Sequence, residues 1–557
     1  MPLNNYASDF SATLGGLTLD GFISSHGVVN LLNIPYAAIP ARFQTASMLN
    51  PATTEGRLDA RHYGPLCPQP ADPTLRLFSH IYEQQSLSNP KDEVDCLHLN
   101  IYAPPSVFSQ NAKKLPVLVW IHGGAFNTGS NATEYDGNHL VKRSIELGKP
   151  VIIVTINYRI HFLGFLSSQE LIAEASDAGE VPILNQGLND QKIALQWIQK
   201  NISHLGGDAS QVTVAGESAG AASIFYLLKH GVPLFSKAIF CSCPKPMFRK
   251  LSETQQIFDS LVQGIGIDAD APYQVKLQAL RAHNPEDLIA LHPSPVVSYP
   301  IEDPNWFADW DPQQISSPDY WANLPVWCPE IIIGHLKDEA ALFLSPAYPS
   351  DLTEEEAKTH VQTILSHPRP AEIALSAIRP SPDISPLHSL LSIATHALFT
   401  APDLEFCTRN ATKPHRKVYL YSIDIPDPYP GTDFEGNSPG PLGGYAWHSF
   451  GNGIFFYQPP ARVDPEISAT ADRMSDAYTS FIYGDKGPAW EAFGEKGRMM
   501  SWNGSSTGLV DVGLGWKDLV REKLVAEGVQ HWVDVYERDG WLTVIPQPAL
   551  CRAVRTA

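Results

Sequence analysis

The thirteen residues from Gln211 to Ser223 leave the backbone few options. They read Gln-Val-Thr-Val-Ala-Gly-Glu-Ser-Ala-Gly-Ala-Ala-Ser. A β-branched run, Val212-Thr213-Val214, stops at Gly216-Glu217-Ser218-Ala219-Gly220 and passes into helix-forming residues as far as Lys229. That is the pattern of a strand, a sharp turn and a helix, with a serine at the apex. Glycines on both sides suit a turn that strains the backbone and brings the helix close to the strand. The Ser218 hydroxyl is then expected at a helix N-terminus, where amide dipoles favour developing negative charge. The same five-residue pattern recurs from Gly436 to Gly440 and from Gly504 to Gly508. Neither copy shows a strand before it or a helix after it, so both read as ordinary turns.

The surrounding chain supplies a sheet for that turn. Residues 115–121 and 151–156 are continuous apolar runs, the mark of strands buried on both faces. Further strands are expected at 212–215, 238–240, 331–333, 418–423 and 541–545. Apolar positions Ala194, Trp197, Ile198 and Ile202 recur at helical spacing, placing a helix over 188–202. Strands alternating with helices define an α/β chain: a central, mostly parallel β-sheet flanked by helices. Residues 14–39 alternate apolar and turn residues and read as small antiparallel N-terminal strands, and a short helix is expected near 75–82. Residues 250–325 and 345–415 are helical, rich in proline and lack strand signals. They read as insertions on the sheet that shape a site, so the whole of 1–557 is expected to be one domain.

Composition narrows the function classes. The formal charge is −20, from 39 Lys and Arg against 59 Asp and Glu. That balance disfavours nucleic acid and anionic membrane surfaces as partners. No run approaches the length of a membrane span. No basic residue precedes Arg42, and the first 40 residues hold no apolar core of a secretory signal. As encoded, the chain is expected in the cytoplasm, or outside the cell if this sequence is a processed mature form. Four glycosylation sequons, at Asn131, Asn201, Asn410 and Asn503, matter only in the second case. Seven cysteines in 557 residues imply no disulfide framework, and Cys241-Ser242-Cys243 lacks the partner spacing of a zinc site.

A serine hydroxyl becomes a nucleophile when a base takes its proton, and the base needs an acid to fix its tautomer. On a sheet of this kind the partners follow the serine in the order carboxylate, then histidine. Gly334-His-Leu-Lys-Asp338-Glu339 directly follows an expected strand, which puts both carboxylates at the carboxyl edge of the sheet. Spacing does not separate the two acids; one is expected to be a solvated charge. Tyr445-Ala-Trp-His448-Ser-Phe-Gly451 places a histidine in an aromatic, glycine-bearing loop after the strand at 418–423. The oxyanion hole needs backbone amides from two places. The amide of Ala219 is one, and the glycine turn Trp120-Ile-His122-Gly123-Gly124-Ala125-Phe126 is the other.

These residues resemble the type-B carboxylesterase/lipase family, which includes the cholinesterases. The likeness covers most of the chain: Asn33-Ile-Pro-Tyr-Ala37, Tyr63-Gly-Pro-Leu-Cys-Pro-Gln69, Asp95-Cys-Leu-His-Leu-Asn-Ile-Tyr-Ala-Pro104, the glycine turn, Asn157-Tyr-Arg159, Leu163-Gly-Phe-Leu166, Asn185-Gln-Gly-Leu-Asn-Asp-Gln191, the serine segment and Lys337-Asp-Glu339. The resemblance implies an α/β-hydrolase fold and a triad of Ser218, Glu339 and His448. It implies oxyanion donors at the amides of Gly124, Ala125 and Ala219, with Gly123 shaping the turn, and no metal or cofactor. Cys67 and Cys96 match the family's first disulfide. The sequence departs from the family pattern in four places. No tryptophan lies between Cys67 and Cys96, where cholinesterases use one to hold a cation. Cys241-Ser-Cys-Pro244 stands where a Ser-Gly pair is usual, Ala340 replaces a common glycine after the acid, and Ser449 replaces another after the histidine.

The expected activity is serine carboxylic-ester hydrolysis of a small-molecule substrate through an acyl-enzyme. The alternatives are a lipase or lactonase acting on a bulky natural-product ester, and a non-catalytic binding module on the same fold.

Overall fold

The apolar runs set the sheet. The computed structural model describes residues 6–512 apart from 71–76, 78–80, 82–88, 292–298, 308–309, 312–317, 346–350, 365–384, 430, 432–439, 485–486 and 495. Its strands are β1 (Tyr6–Leu14), β2 (Leu17–Ser24), β3 (Val29–Pro35), β4 (His98–Ala103), β5 (Leu115–Ile121), β6 (Ile152–Ile156), β7 (Gly207–Glu217), β8 (Lys237–Cys241), β9 (Glu330–Leu336), β10 (Lys417–Ile423), β11 (Arg498–Trp502) and β12 (Gly508–Asp511). They lie in the order β1-β2-β3-β4-β6-β5-β7-β8-β9-β10-β11-β12, with the short strand Gly56–Asp59 added beside β2. From β6 to β11 every pairing is parallel. The N-terminal pairings through β4 and the last pair, β11 with β12, are antiparallel. Every residue of β5 is buried, as a parallel strand covered on both faces requires, whereas the edge strand β1 is largely exposed.

Alternation along each strand feeds two cores. Val117, Val119 and Ile121 of β5 join one cluster, and Leu118 and Trp120 join the other. Helices α1 (Asn138–Glu146), α2 (Gln186–Asn201) and α3 (Ala219–His230) follow in chain order. Leu195, Trp197 and Ile198 of α2 and Ile224 and Leu228 of α3 pack into the first core, while Leu140 and Val141 of α1 pack into the second. Each such side chain contributes roughly 1.5–3 kcal/mol by leaving water. A buried bidentate ion pair ties the loop after β6 to α2: Arg159 Nε and Nη2 donate to Asp190 at 2.8 and 2.7 Å.

Register then aligns the strand ends. Ile121, Gly216, Phe240, Ile333 and Leu420 stand side by side on β5, β7, β8, β9 and β10. The segments that follow β5, β7 and β9 therefore emerge at one rim, where open α/β sheets carry their sites.

The strand expected at 115–121 has those bounds, that at 151–156 is one residue shorter, those at 212–215, 238–240, 331–333 and 418–423 are longer, and the helix at 188–202 is α2. The strand expected at 541–545 lies outside the described residues, as does most of the helix expected near 75–82. β1 lies almost wholly before the expected span 14–39, β4 and the strand Gly56–Asp59 had no sequence expectation, and neither had β11 and β12. The last two correct the reading of the pattern from Gly504 to Gly508, which follows a strand after all. It turns into an antiparallel neighbour rather than a helix, so it remains a simple turn. In the first insertion the helices include Leu251–Gly264 and Tyr273–Ala282. In the second, α4 (Pro386–Thr395) runs through a π-helical turn, His396–Thr400, into α5 (Ala401–Ala411).

Candidate active site

Ser218 joins β7 to α3 at φ 55° and ψ −121°, a conformation that residues with side chains rarely adopt. Neighbouring backbone holds it there. The Ser218 amide donates to the Cys241 carbonyl of β8 at 3.0 Å, and the Ala222 amide donates to the Ser218 carbonyl at 2.9 Å. The flanking glycines are required by space. A Cβ on Gly220 would lie 2.0 Å from the Ile121 carbonyl oxygen, and one on Gly216 would lie 2.6 Å from the Gly220 carbonyl. Backbone thus packs on backbone where β5, the turn and α3 meet.

The glycine turn after β5 presses on the same spot. A Cβ on Gly123 would come within 2.6 Å of Glu217 Oε2 and 3.1 Å of Ser218 Cβ. Gly124, Ala125 and Phe126 follow at φ 101°, 53° and 59°. Three consecutive residues with positive φ form one turn, closed by the amides of Asn127 and Thr128, which both donate to the Gly124 carbonyl at 2.9 Å. Ala219 is the first residue of α3, so its N–H has no partner within the helix. His122 is buried, its ring stacked on Tyr158 at 4.4 Å, and burial pulls its pKa down to about 4.

Past β9, Glu339 is fully buried and uses both oxygens. Oε1 accepts the Leu336 amide at 2.8 Å, and Oε2 lies 2.6 Å from Nδ1 of His448. Asp338 turns the other way: it exchanges two hydrogen bonds with Ala446, at 2.9 Å from its amide and 3.0 Å to its carboxylate. The expectation of a solvated charge at one of the two acids is therefore corrected. Asp338 pins the loop that carries the histidine, and Glu339 holds the imidazole.

The other face of that imidazole holds a residue the sequence reading did not single out. Nε2 of His448 lies 3.2 Å from Oε1 of Glu217, the residue before the serine. The Ser449 hydroxyl donates to the same oxygen at 2.7 Å. Ser449 sits at φ 73°, which explains why glycine suits this position, and its hydrogen bond offsets part of the strain. Burial alone would lower the His448 pKa, but Glu217 and then Glu339 outweigh it and raise it. Burial in turn raises the Glu217 pKa. Among the described residues no hydrogen bond joins the Ser218 hydroxyl to the imidazole. The structure thus brings Glu339 and Glu217 to His448, and Gly123 to Ser218. Adjacency to Ser218 was the one sequence signal for Glu217.

The remaining departures are local. Ala340 has φ −68°, so the acid turn does not need glycine there. Cys67 and Cys96 are buried free thiols, and Cys67 is the largest influence raising the Cys96 pKa, which sets the two side by side. Among the described residues no cluster of three or more His, Cys, Asp or Glu could hold a metal ion, and no helix is long and apolar enough to cross a membrane.

A strained serine between a parallel strand and a helix, at the rim of a mostly parallel sheet flanked by helices, defines an α/β-hydrolase. A thermophilic PNB esterase structure superposes with a TM-score of 0.69 at 26% identity, covering 94% of this chain and 99% of its own. The Carboxylesterase family profile matches residues 12–503, so this chain belongs to that family of carboxylic ester hydrolases. The para-nitrobenzyl esterase of Bacillus subtilis (strain 168) is 31% identical over 420 residues, 72% of this chain and 76% of that protein. Lipase 2 of Diutina rugosa is 32% identical over 400 residues, 65% of this chain and 68% of that protein.

Proposed function

We propose that this enzyme cleaves small-molecule carboxylic esters through Ser218, His448 and Glu339. The observation that carries the reading is the buried 2.6 Å contact between His448 Nδ1 and Glu339, at the sheet rim that bears the strained serine. With Nδ1–H held by a carboxylate, Nε2 keeps its lone pair and can take a proton. At rest Nε2 and Oε1 of Glu217, 3.2 Å apart, share a proton; it stays on Glu217 when the imidazole turns to the serine hydroxyl, which leaves the Nε2 lone pair free. Ser218 Oγ attacks the ester carbonyl as its proton passes to Nε2, and the amides of Gly124, Ala125 and Ala219 hold the oxyanion. The tetrahedral intermediate collapses, the C–O bond to the alcohol breaks, and His448 returns the proton to the departing alkoxide. Water then repeats the sequence on the acyl-enzyme and frees the acid and Ser218.

The chain works as one unit in this reading, with 250–325 and 345–415 shaping access to the serine. Support comes from contacts between insertion and sheet-rim segments. The Leu184 amide donates to Asp303 at 3.3 Å, and the Ala340 amide donates to Thr395 at 3.0 Å. The test is Ser218→Ala assayed on p-nitrophenyl butyrate beside labelling by a fluorophosphonate. Loss of about 10⁴-fold or more in kcat with complete loss of labelling is expected. A variant within tenfold of the parent, or one that still labels, overturns the assignment.

A further inference from the structure

One helical rod in the second insertion touches the residue after the acid, the base and strand β9. Thr395, Phe399 and Asp403 are spaced four apart along it. Thr395 Oγ1 accepts the amide of Ala340, the residue after Glu339, at 3.0 Å. The Phe399 ring packs on the His448 ring at 5.1 Å between centroids, tilted 43°. Asp403 Oδ2 lies 2.9 Å from Nδ1 of His335 on β9, and both side chains are buried. In an uninterrupted α-helix each fourth residue drifts about 40° around the axis, so 395 and 403 would stand about 80° apart. The π-helical turn His396–Thr400 winds less per residue and offsets that drift, which keeps the three contacts on one line. Such turns inside α-helices recur at functional sites.

Phe399 is buried, and its ring is matched by a second one. Phe343, four residues past Glu339 on the acid's own turn, also packs on His448 at 5.1 Å, tilted 45°. Two rings at similar tilt leave the imidazole little freedom to swing about its Glu339 hydrogen bond. Yet it must move between Glu217 and Ser218 to work, so its path is set by what flanks it.

We infer that Phe399 is a positioning residue for the general base, delivered by the π-helical turn, and that the rod from 386 to 411 braces the Glu339–His448 pair. Phe399 reaches the substrate only through the imidazole. This inference rests on the triad reading and adds to it the reason the second insertion carries a wide turn at 396–400.

The test pairs Phe399→Leu with Phe399→Tyr, measuring kcat and KM on p-nitrophenyl butyrate, fluorophosphonate labelling rate and melting temperature. Leucine keeps an apolar filler without the ring and should lower kcat by about 10- to 100-fold, the range that misplacement of a catalytic group produces. Its KM should stay within about twofold, and labelling should slow with kcat. Tyrosine should recover most of kcat. The inference falls if the leucine variant keeps its kcat, if the loss appears in KM alone, or if tyrosine is no better than leucine. Should the leucine variant fail to fold, Thr395→Val probes the same rod: lowered kcat at unchanged KM supports the brace, and parental kcat overturns it. His448→Ala in parallel separates the two readings. If it stays active the triad reading fails; if it is inert while Phe399→Leu equals the parent, only the positioning role fails.

Discussion

Replacing Glu339 by glutamine tests the acid assignment in one atom. The carboxylate is fully buried, with Oε1 on the Leu336 amide at 2.8 Å and Oε2 on His448 Nδ1 at 2.6 Å. An amide nitrogen cannot accept from Leu336 N–H, so the glutamine carbonyl must stay there and its NH₂ must face Nδ1. Two donors cannot share that contact. The imidazole then offers the Nδ1 lone pair and carries its proton on Nε2, where it cannot receive one from Ser218. The same acid-to-amide change in a serine triad costs about 10⁴ in kcat, or about 5.5 kcal/mol of transition-state stabilisation. Asp338→Asn is the control of equal chemistry. Its carbonyl can still accept the Ala446 amide, and a neutral acceptor in place of a charged one costs only about 1 kcal/mol, so activity should stay within about tenfold. The assay is kcat and kcat/KM on p-nitrophenyl butyrate, with circular dichroism confirming both folds. A Glu339→Gln enzyme within tenfold of the parent, or an Asp338→Asn enzyme that loses 10³ or more, would refute the tautomer argument.

Two further outcomes follow from burial and charge. Glu217 and Glu339 both raise the His448 pKa, and the base must be neutral to act, so activity is lost as pH falls through that raised value. Glu217→Gln removes one carboxylate and leaves Glu339, and should move the acid limb of the kcat/KM profile to lower pH; an unmoved or upward-moved limb would contradict the Nε2 contact. Of the four sequons, Asn131, Asn201 and Asn410 are buried and each spends its side-chain amide on a backbone carbonyl, while Asn503 is exposed. Folded protein secreted from a glycosylating host behind an added leader should carry glycan at Asn503 alone, and peptide mapping that finds occupancy at any of the other three would show the local structure to be wrong.

Local chemistry made the central strands and the serine turn legible. Residues 115–121 and 151–156 are apolar without interruption because both faces are covered, and Gly216 and Gly220 stand where a Cβ would strike backbone. β4 was harder to see as a strand, although it is entirely buried, because His98 and Asn100 interrupt its apolar run. Those two side chains are paired inside: His98 Nε2 with the Pro65 carbonyl at 2.9 Å, and Asn100 Nδ2 with the Asn131 carbonyl at 2.7 Å. β11 reads Arg-Met-Met-Ser-Trp and is only partly covered along its first three residues, so it leaves little apolar pattern. Order along the chain proposed His448 and left Asp338 and Glu339 open; the family resemblance chose Glu339, and neither signal told how the two are held. Phe399 and Thr395 come from an insertion with no motif, and their alignment depends on a π-helical turn that no residue type announces.

Sheet register links the fold to the chemistry. Ile121 and Gly216 stand at one level at the ends of β5 and β7, and β9 runs three residues past that level from Ile333, so the glycine turn, the serine and the acid leave the sheet on the same edge. The glycine turn, the serine and the histidine loop each hold a residue in a conformation it would not choose alone: Ala125 at φ 53°, Ser218 at φ 55° and Ser449 at φ 73°. Residues held at such angles cost of order 1–3 kcal/mol each. Two buried cores and fixed backbone hydrogen bonds supply that stabilisation at a distance, which allows the rim to be strained without melting. Glu217 fits the same logic. Its carboxylate accepts the Ser449 hydroxyl and faces Nε2 of His448, so one buried side chain supports a strained loop and touches the imidazole. A site built this way should lose function before it loses its fold, because Glu339, Phe343 and Phe399, which contact the imidazole, lie outside the sheet that carries the stability.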